Sequence, residues 1–290
     1  MPYAILPEDE SVEAALRRIA REEAGLALSA VRGEGDLGPR VHEMRKVVKK
    51  LRGLLRLLRP VLPEAKAENA RLRDAGRALS DLRDAAVQLS TLERLAGDMD
   101  GTRRARLLAP FQEAAAHHDA SAEAAALPAF AEAMSDLLAR SEGWTLRRDG
   151  WDALEPGLMA TWDAARAALR QARKHPEPHH LHEWRKRAKD HWYHARLLQP
   201  IWPALMKPHV EAADTLGEML GQVNDLAVLL GRLDAAPLDE GLRSEARDLA
   251  TLRHAALMAE ALPLGRRLLA GDAEALAARW GAWWKLRETT

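Results

Sequence analysis

The chain has 290 residues, with 43 basic and 43 acidic side chains and a formal net charge of zero. Charged residues make up 30% and hydrophobic residues 47%, a composition that supports a sizeable core and excludes intrinsic disorder. There is no cysteine, which excludes disulfides, thiolate metal sites and a cysteine nucleophile.

Ala, Leu, Arg and Glu dominate and strand-like runs of Val, Ile and Thr are absent, so the composition predicts an all-α chain. In chain order, the opening MPYAILPEDE has neither the basic region nor the apolar run of a signal peptide. No later stretch approaches the ~18 consecutive apolar residues of a spanning helix. A soluble cytoplasmic protein without a membrane partner is the expectation. Breaker clusters divide the chain at GEGDLGP (Gly33 to Pro39), GDMDG (Gly97 to Gly101), SEGW (Ser141 to Trp144), HPEPH (His175 to His179) and PIWP (Pro200 to Pro203). Between them apolar residues recur at helical spacing, which predicts about five helices in each half.

The first strongly charged helix is VHEMRKVVKKLRGLLRLLRPVLP, Val41 to Pro63. An offset of 140 residues lays it over LHEWRKRAKDHWYHARLLQPIWP, Leu181 to Pro203, with ten of 23 positions identical. One further residue of offset aligns LSDLRDAAV (Leu79 to Val87) with LGQVNDLAV (Leu220 to Val228). Two copies are too few for a solenoid, and a pair of helical bundles related by a pseudo-twofold, covering about 1–140 and 145–290 within one domain, is the simpler prediction.

Helical residues follow one another at about 100° around the axis. With His42 at zero, Arg45, Lys49, Arg52 and Arg56 fall within about 80° on one side and Lys46 about 40° to the other, opposite an apolar arc. In the second copy His182, Arg185, Lys186, Lys189 and Arg196 take the same angles, with Tyr193 beside them and Trp192 in place of Arg52. A charged helical face is usually only solvated, and such faces commonly mix signs. Here the face is nearly one-signed, it occurs twice, and the two segments carry +6 and +3, which leaves −9 for the remainder. From His42 to Arg56 the stripe runs about 21 Å. That length suits an extended polyanion better than one compact phosphate, and no glycine-rich nucleotide loop is present.

The pattern H-x-x-R-x-x-x-K at the start of a basic helix, followed later by RD or ND, resembles the CHAD domain, the conserved histidine α-helical domain. The matching residues are His42, Arg45, Lys49, Arg52, Arg83 and Asp84, then His182, Arg185, Arg187, Lys189, Tyr193, Asn224 and Asp225. The resemblance implies two four-helix bundles around a basic cavity or pore that binds inorganic polyphosphate, with association with polyphosphate granules in some members. It makes His42, Arg45, Lys46, Lys49, Arg52, Arg56 and Arg83, with His182, Arg185, Lys186, Lys189, Tyr193 and Arg196, the candidate contacts. The chain resembles a stand-alone CHAD protein, with no E-x-E-x-K signature of the triphosphatase domain fused to some members. Asp190 and Trp192 depart from the basic residues of many members, and Arg187 falls on the apolar side of the helix.

Other chemistries find less support. His175, His179, His180, His182, His191 and His194 lie within twenty residues, but no carboxylate recurs at a companion spacing, and no metal site is assigned. His42 and His182 serve either as phosphate contacts or as helix-start residues bonded locally. No G-x-S-x-G elbow occurs and Asp81 and Asp84 look structural, so neither catalysis nor a cofactor is expected. Trp280, Trp283 and Trp284 fit core packing, with base stacking as the alternative. Non-catalytic binding of polyphosphate is the expectation, and nucleic acid is the second choice of partner.

Overall fold

The computed structural model describes residues 3–79, 84–116 and 120–287. Among the described residues there are eleven α-helices, one 3₁₀ turn and no strand, in agreement with the all-α expectation. They are α1 (Val12–Arg32), α2 (Leu37–Leu57), α3 (Ala65–Ala78), α4 (Asp84–Leu95), α5 (Gly101–Ala116), α6 (Ala120–Ser141), α7 (Trp151–Lys174), α8 (Pro178–Leu197), α9 (Pro203–Ala235), α10 (Glu240–Leu268) and α11 (Ala273–Leu286), with the 3₁₀ turn Gln199–Ile201 before α9. No described helix is long and apolar enough to cross a membrane.

Local chemistry sets the ends of these helices. Ser11, Asp239 and Asp272 are N-caps whose side chains accept from the amides of Ala14, Leu242 and Ala275. Pro178 and Pro203 open α8 and α9, where a missing N–H costs nothing. All five breaker clusters coincide with a helix boundary, although α2 begins inside the first cluster and takes Gly38 and Pro39 into its opening turn.

α1 packs on α2 and α6, and α3 joins α2 to α6, closing a first four-helix arrangement. In the second half α7 packs on α8 and α11, and α8 on α9. The two halves are not self-contained. α4 and α5 reach across to α10, and α4 also packs on α9. The region that the offset matches to α3 and α4 together is one continuous helix, α9.

A single apolar core runs through both halves, from Leu16 and Ile19 of α1 through Met44, Leu51 and Leu54 of α2 to Trp184 of α8 and Leu216 of α9. Trp144, Trp162 and Trp184 are among the largest fully buried side chains. Trp280 and Trp284 are buried too, and Trp283 packs edge-on to Trp202. The core role expected of these tryptophans is the one observed.

α2 meets α8 at the centre of the molecule. Gly53 and Tyr193, which correspond under the 140-residue offset, face each other so closely that a Cβ on Gly53 would lie 2.7 Å from the Tyr193 Cβ. His194 Nε2–H donates to the Gly53 carbonyl at 3.0 Å. Three residues further along α2, Arg56 donates to Asp190 at 2.5 Å. The N-terminal segment wedges in beside the crossing. Ile5 N–H donates to the Leu197 carbonyl of α8, and the Tyr3 hydroxyl donates to the Lys50 carbonyl of α2. α2 also approaches α7 at Gly157, where any Cβ would run into the Leu57 carbonyl.

Candidate polyanion-binding surface

The apolar arc of α2 explains how its cations are presented. Val41, Met44, Val47, Val48, Leu51, Leu54 and Leu55 are buried, which turns His42, Lys46 and Lys49 outward and leaves Arg45, Arg52 and Arg56 half-buried. Lys46 lies 3.3 Å from Glu43, an exposed pair of small energetic weight. Arg52 Nε–H donates to Asn69 of α3 at 3.1 Å. Burial, then the neighbouring charges of Arg56 and Arg73, lowers the Arg52 guanidinium to about 10. Arg52 thus sits in a crowd of like charge, where a bound anion would relieve the strain.

On α8 the corresponding His182, Lys186 and Lys189 have partners on α8 itself and on α9. His182 Nδ1–H donates to Asn224 Oδ1 of α9 at 2.7 Å. The partner is an amide on another helix, where the sequence reading sets a nearby backbone group or acid against direct phosphate contact. Lys186 pairs with Glu183 at 2.6 Å. Lys189 Nζ is held between Asp214 at 3.1 Å and Glu218 at 2.7 Å, both on α9. Arg185 Nε is buried without a hydrogen-bond partner, and so is the indole Nε1 of Trp192. Each is an orphaned donor beside the cationic stripe.

Two candidate contacts stand in unexpected places. Tyr193 is buried against Gly53 and edge-on to Tyr3, and burial raises its phenol. Its ring belongs to the helix crossing. Arg56 is tied to Asp190, which also accepts from Arg187 at 3.0 Å. Burial pushes the Asp190 carboxyl up against the pull of both guanidiniums. The acid that departs from the family pattern therefore has a structural reason, since it cross-links α2 to α8. Arg187, paired with Glu183 and Asp190, lies off the stripe as its helical angle predicts. Arg83 lies outside the described residues.

One carboxylate of α9 is within electrostatic reach of cations from both helices. Partial burial raises the Glu218 carboxyl, but its bond to Lys189 and the charges of Lys189, Arg185 and Lys49 outweigh this and bring it below its usual value. Lys49 belongs to α2 and the other two to α8, so cations of both helices act on one carboxylate. Sequence reading missed Asn69, Arg73, Asp214 and Glu218, which are ordinary helix-surface residues without a motif. The one available signal was the spacing of Gly217 and Gly221, one turn apart on α9.

The histidines do not gather. His180 contacts both His175 and His179 around the start of α8, whereas His191 and His194 are buried with separate partners. Among the described residues no group of three His, Asp or Glu side chains is placed to hold a metal ion. His117 and His118 lie outside the described residues.

The family model of the CHAD domain matches residues 10–234. The chain belongs to the CHAD domain family. α10 and α11 follow the matched residues. Two solved structures are similar in fold. PptA from Streptomyces chartreusis aligns with a TM-score of 0.58 at 17% identity, covering 91% of this chain and 98% of its own. The CHAD domain from the plant Ricinus communis aligns with a TM-score of 0.55 at 20% identity, covering 96% of this chain and 92% of its own. No curated protein sequence matches the chain. At such identities these likenesses support the helical CHAD fold and carry no further.

Proposed function

We propose that this CHAD protein binds inorganic polyphosphate without turning it over. The observation that supports the reading is that the two cationic helices α2 and α8 pack on each other and that Lys49 of α2 and Lys189 and Arg185 of α8 act on the same carboxylate, Glu218, while Arg185 Nε lacks an acceptor. Successive phosphates of a linear polymer present acceptors at many points, and guanidinium groups take them bidentately. Each exposed contact is worth about 0–1 kcal/mol, yet contacts along one polymer sum to tight, salt-sensitive binding.

Nucleic acid is the competing polyanion because it also presents spaced phosphates, but the two aromatic side chains beside the stripe are engaged elsewhere. Tyr193 is buried, while the Trp192 ring carries Lys189 Nζ at 4.3 Å and the Arg196 guanidinium at 4.9 Å. Neither presents a bare face for base stacking, which sequence-tolerant single-strand binding uses. A cytoplasmic location, on polyphosphate granules, goes with this reading.

The test is charge reversal at Arg45 and Lys49 together. Polyphosphate affinity should fall at least about tenfold, since two cations are lost and two acids gained, with the circular dichroism spectrum unchanged. Unchanged affinity in the folded double variant would sink the assignment. Absence of orthophosphate release on prolonged incubation is expected, and release would move the protein to the enzymes.

A further inference from the structure

α9 turns two glycines, Gly217 and Gly221, toward α8. A Cβ on Gly217 would lie 2.6 Å from Lys189 Cε and 2.7 Å from Cδ, and one on Gly221 would lie 3.6 Å from Arg185 Nε. The stem of Lys189 is therefore laid across α9 in the space that Gly217 leaves, and only 19% of the side chain is exposed. Its ammonium ends between Asp214 and Glu218, whose side chains are 46% and 69% exposed. A chance surface pair would not be seated in a gap of the neighbouring helix. This one is built into the packing of α8 on α9.

The first half lacks this arrangement. At the offset of 141 residues, Gly217 corresponds to Gly76, but Asp214 and Glu218 correspond to Arg73 and Arg77. Where α9 sets two carboxylates beside the α8 cations, α3 sets two guanidiniums beside those of α2. Arg73 adds its charge to Arg52, although it also pairs with Asp74. The two copies thus differ at these positions, with two acids on α9 where α3 carries two arginines.

We propose that Asp214 and Glu218 are internal competitors of the polyanion: they hold Lys189, and a phosphate chain gains that cation only by displacing them. The proposal rests on the polyphosphate reading above and specifies how affinity at that surface is set. A phosphate group near Lys189, Arg185 or Lys49 meets the repulsion of Glu218 before it gains the ammonium. Lys189 is then a conditional contact, gained only when its two carboxylates let go.

Four variants test it by titration with long-chain polyphosphate: Glu218→Gln, Asp214→Asn/Glu218→Gln, and Lys189→Gln in the wild type and in that double variant. Glu218→Gln should tighten binding about threefold and the double variant roughly tenfold, the scale of one and two exposed ion-pair terms. Lys189→Gln should weaken binding by about fivefold or more once both carboxylates are neutral and by clearly less with both acids in place, a non-additivity that a purely structural pair would not give. Unchanged or weaker binding in the double variant, with circular dichroism showing it folded, overturns the proposal. Amine labelling of Lys189, read by mass spectrometry without polyphosphate, separates the two claims. Faster labelling in the double variant supports the clasp, and an unchanged rate overturns it. Failure of the wild type to bind polyphosphate overturns the functional reading on its own.

Discussion

Acidification should destabilise this protein between pH 8 and pH 5, before most carboxylates titrate. The cause is three histidines held neutral in the second half. His191 and His194 are fully buried, and His209 contacts His191 with Nε2 atoms 2.7 Å apart. Trp162 and Trp280 pack around the pair. Burial, then the charge of His209 and of His194, lowers His191 well below its ordinary value. Burial brings His194 to about 3, against a small upward pull from its bond to the Gly53 carbonyl and a downward one from Arg56. Burial and the charge of Arg279 bring His209 to about 4.

A folded-state value below the unfolded one means stability is fully present above the unfolded value of about 6.5 and is lost as the pH falls toward the folded value. At pH 5 each unfolded imidazole gains about 2 kcal/mol by protonation that the folded one forgoes. Three such groups give a loss of up to about 6 kcal/mol, large beside a total stability of about 5–15 kcal/mol. Urea unfolding followed by far-ultraviolet circular dichroism at pH 8, 6.5 and 5 measures it. His209→Gln should remove about a third of the pH dependence, since one of three groups is gone. A stability that stays flat from pH 8 to pH 5 would refute the assignment of these histidines as buried and neutral.

Gly157→Ala should cost more than about 3 kcal/mol, because its Cβ meets the Leu57 carbonyl and α2 and α7 must separate. Gly217→Ala should cost less than about 1 kcal/mol, because only the mobile end of Lys189 has to move. Comparable melting temperatures for the two variants would contradict this. Asp190→Ala removes the partner of both Arg56 and Arg187 and should cost about 3–5 kcal/mol in chemical denaturation; a loss under ~1 kcal/mol would show that the cross-link between α2 and α8 carries little of the stability.

The helical class, the five breaker clusters and the outward turn of His42, Lys46 and Lys49 were legible because they depend on local rules, namely propensity, turn chemistry and the 3.6-residue period. The tryptophans of α11 were legible as core for the same reason. What the sequence could not give was pairing between elements. Lys189 has the same helical angle as Lys49, yet its ammonium is taken by two acids 25 and 29 residues away in the chain. Tyr193 lies beside the stripe on a helical wheel, but α2 approaches through Gly53 and buries it. Asp190 reads as a flaw in a basic helix until α2 supplies Arg56. Each of these outcomes is set by which helix packs against which, and a one-dimensional period carries no such information.

The most direct measurement is a titration of the wild-type protein with long-chain polyphosphate at several salt concentrations, with single-stranded DNA as competitor. Tight binding that weakens steeply with salt and resists displacement by DNA is the predicted result, because many phosphates are met by cations and the aromatics beside the stripe, Tyr193 and Trp192, are engaged within the protein. Weak binding, or ready displacement by DNA, would contradict the account and leave the paired basic helices without their proposed ligand.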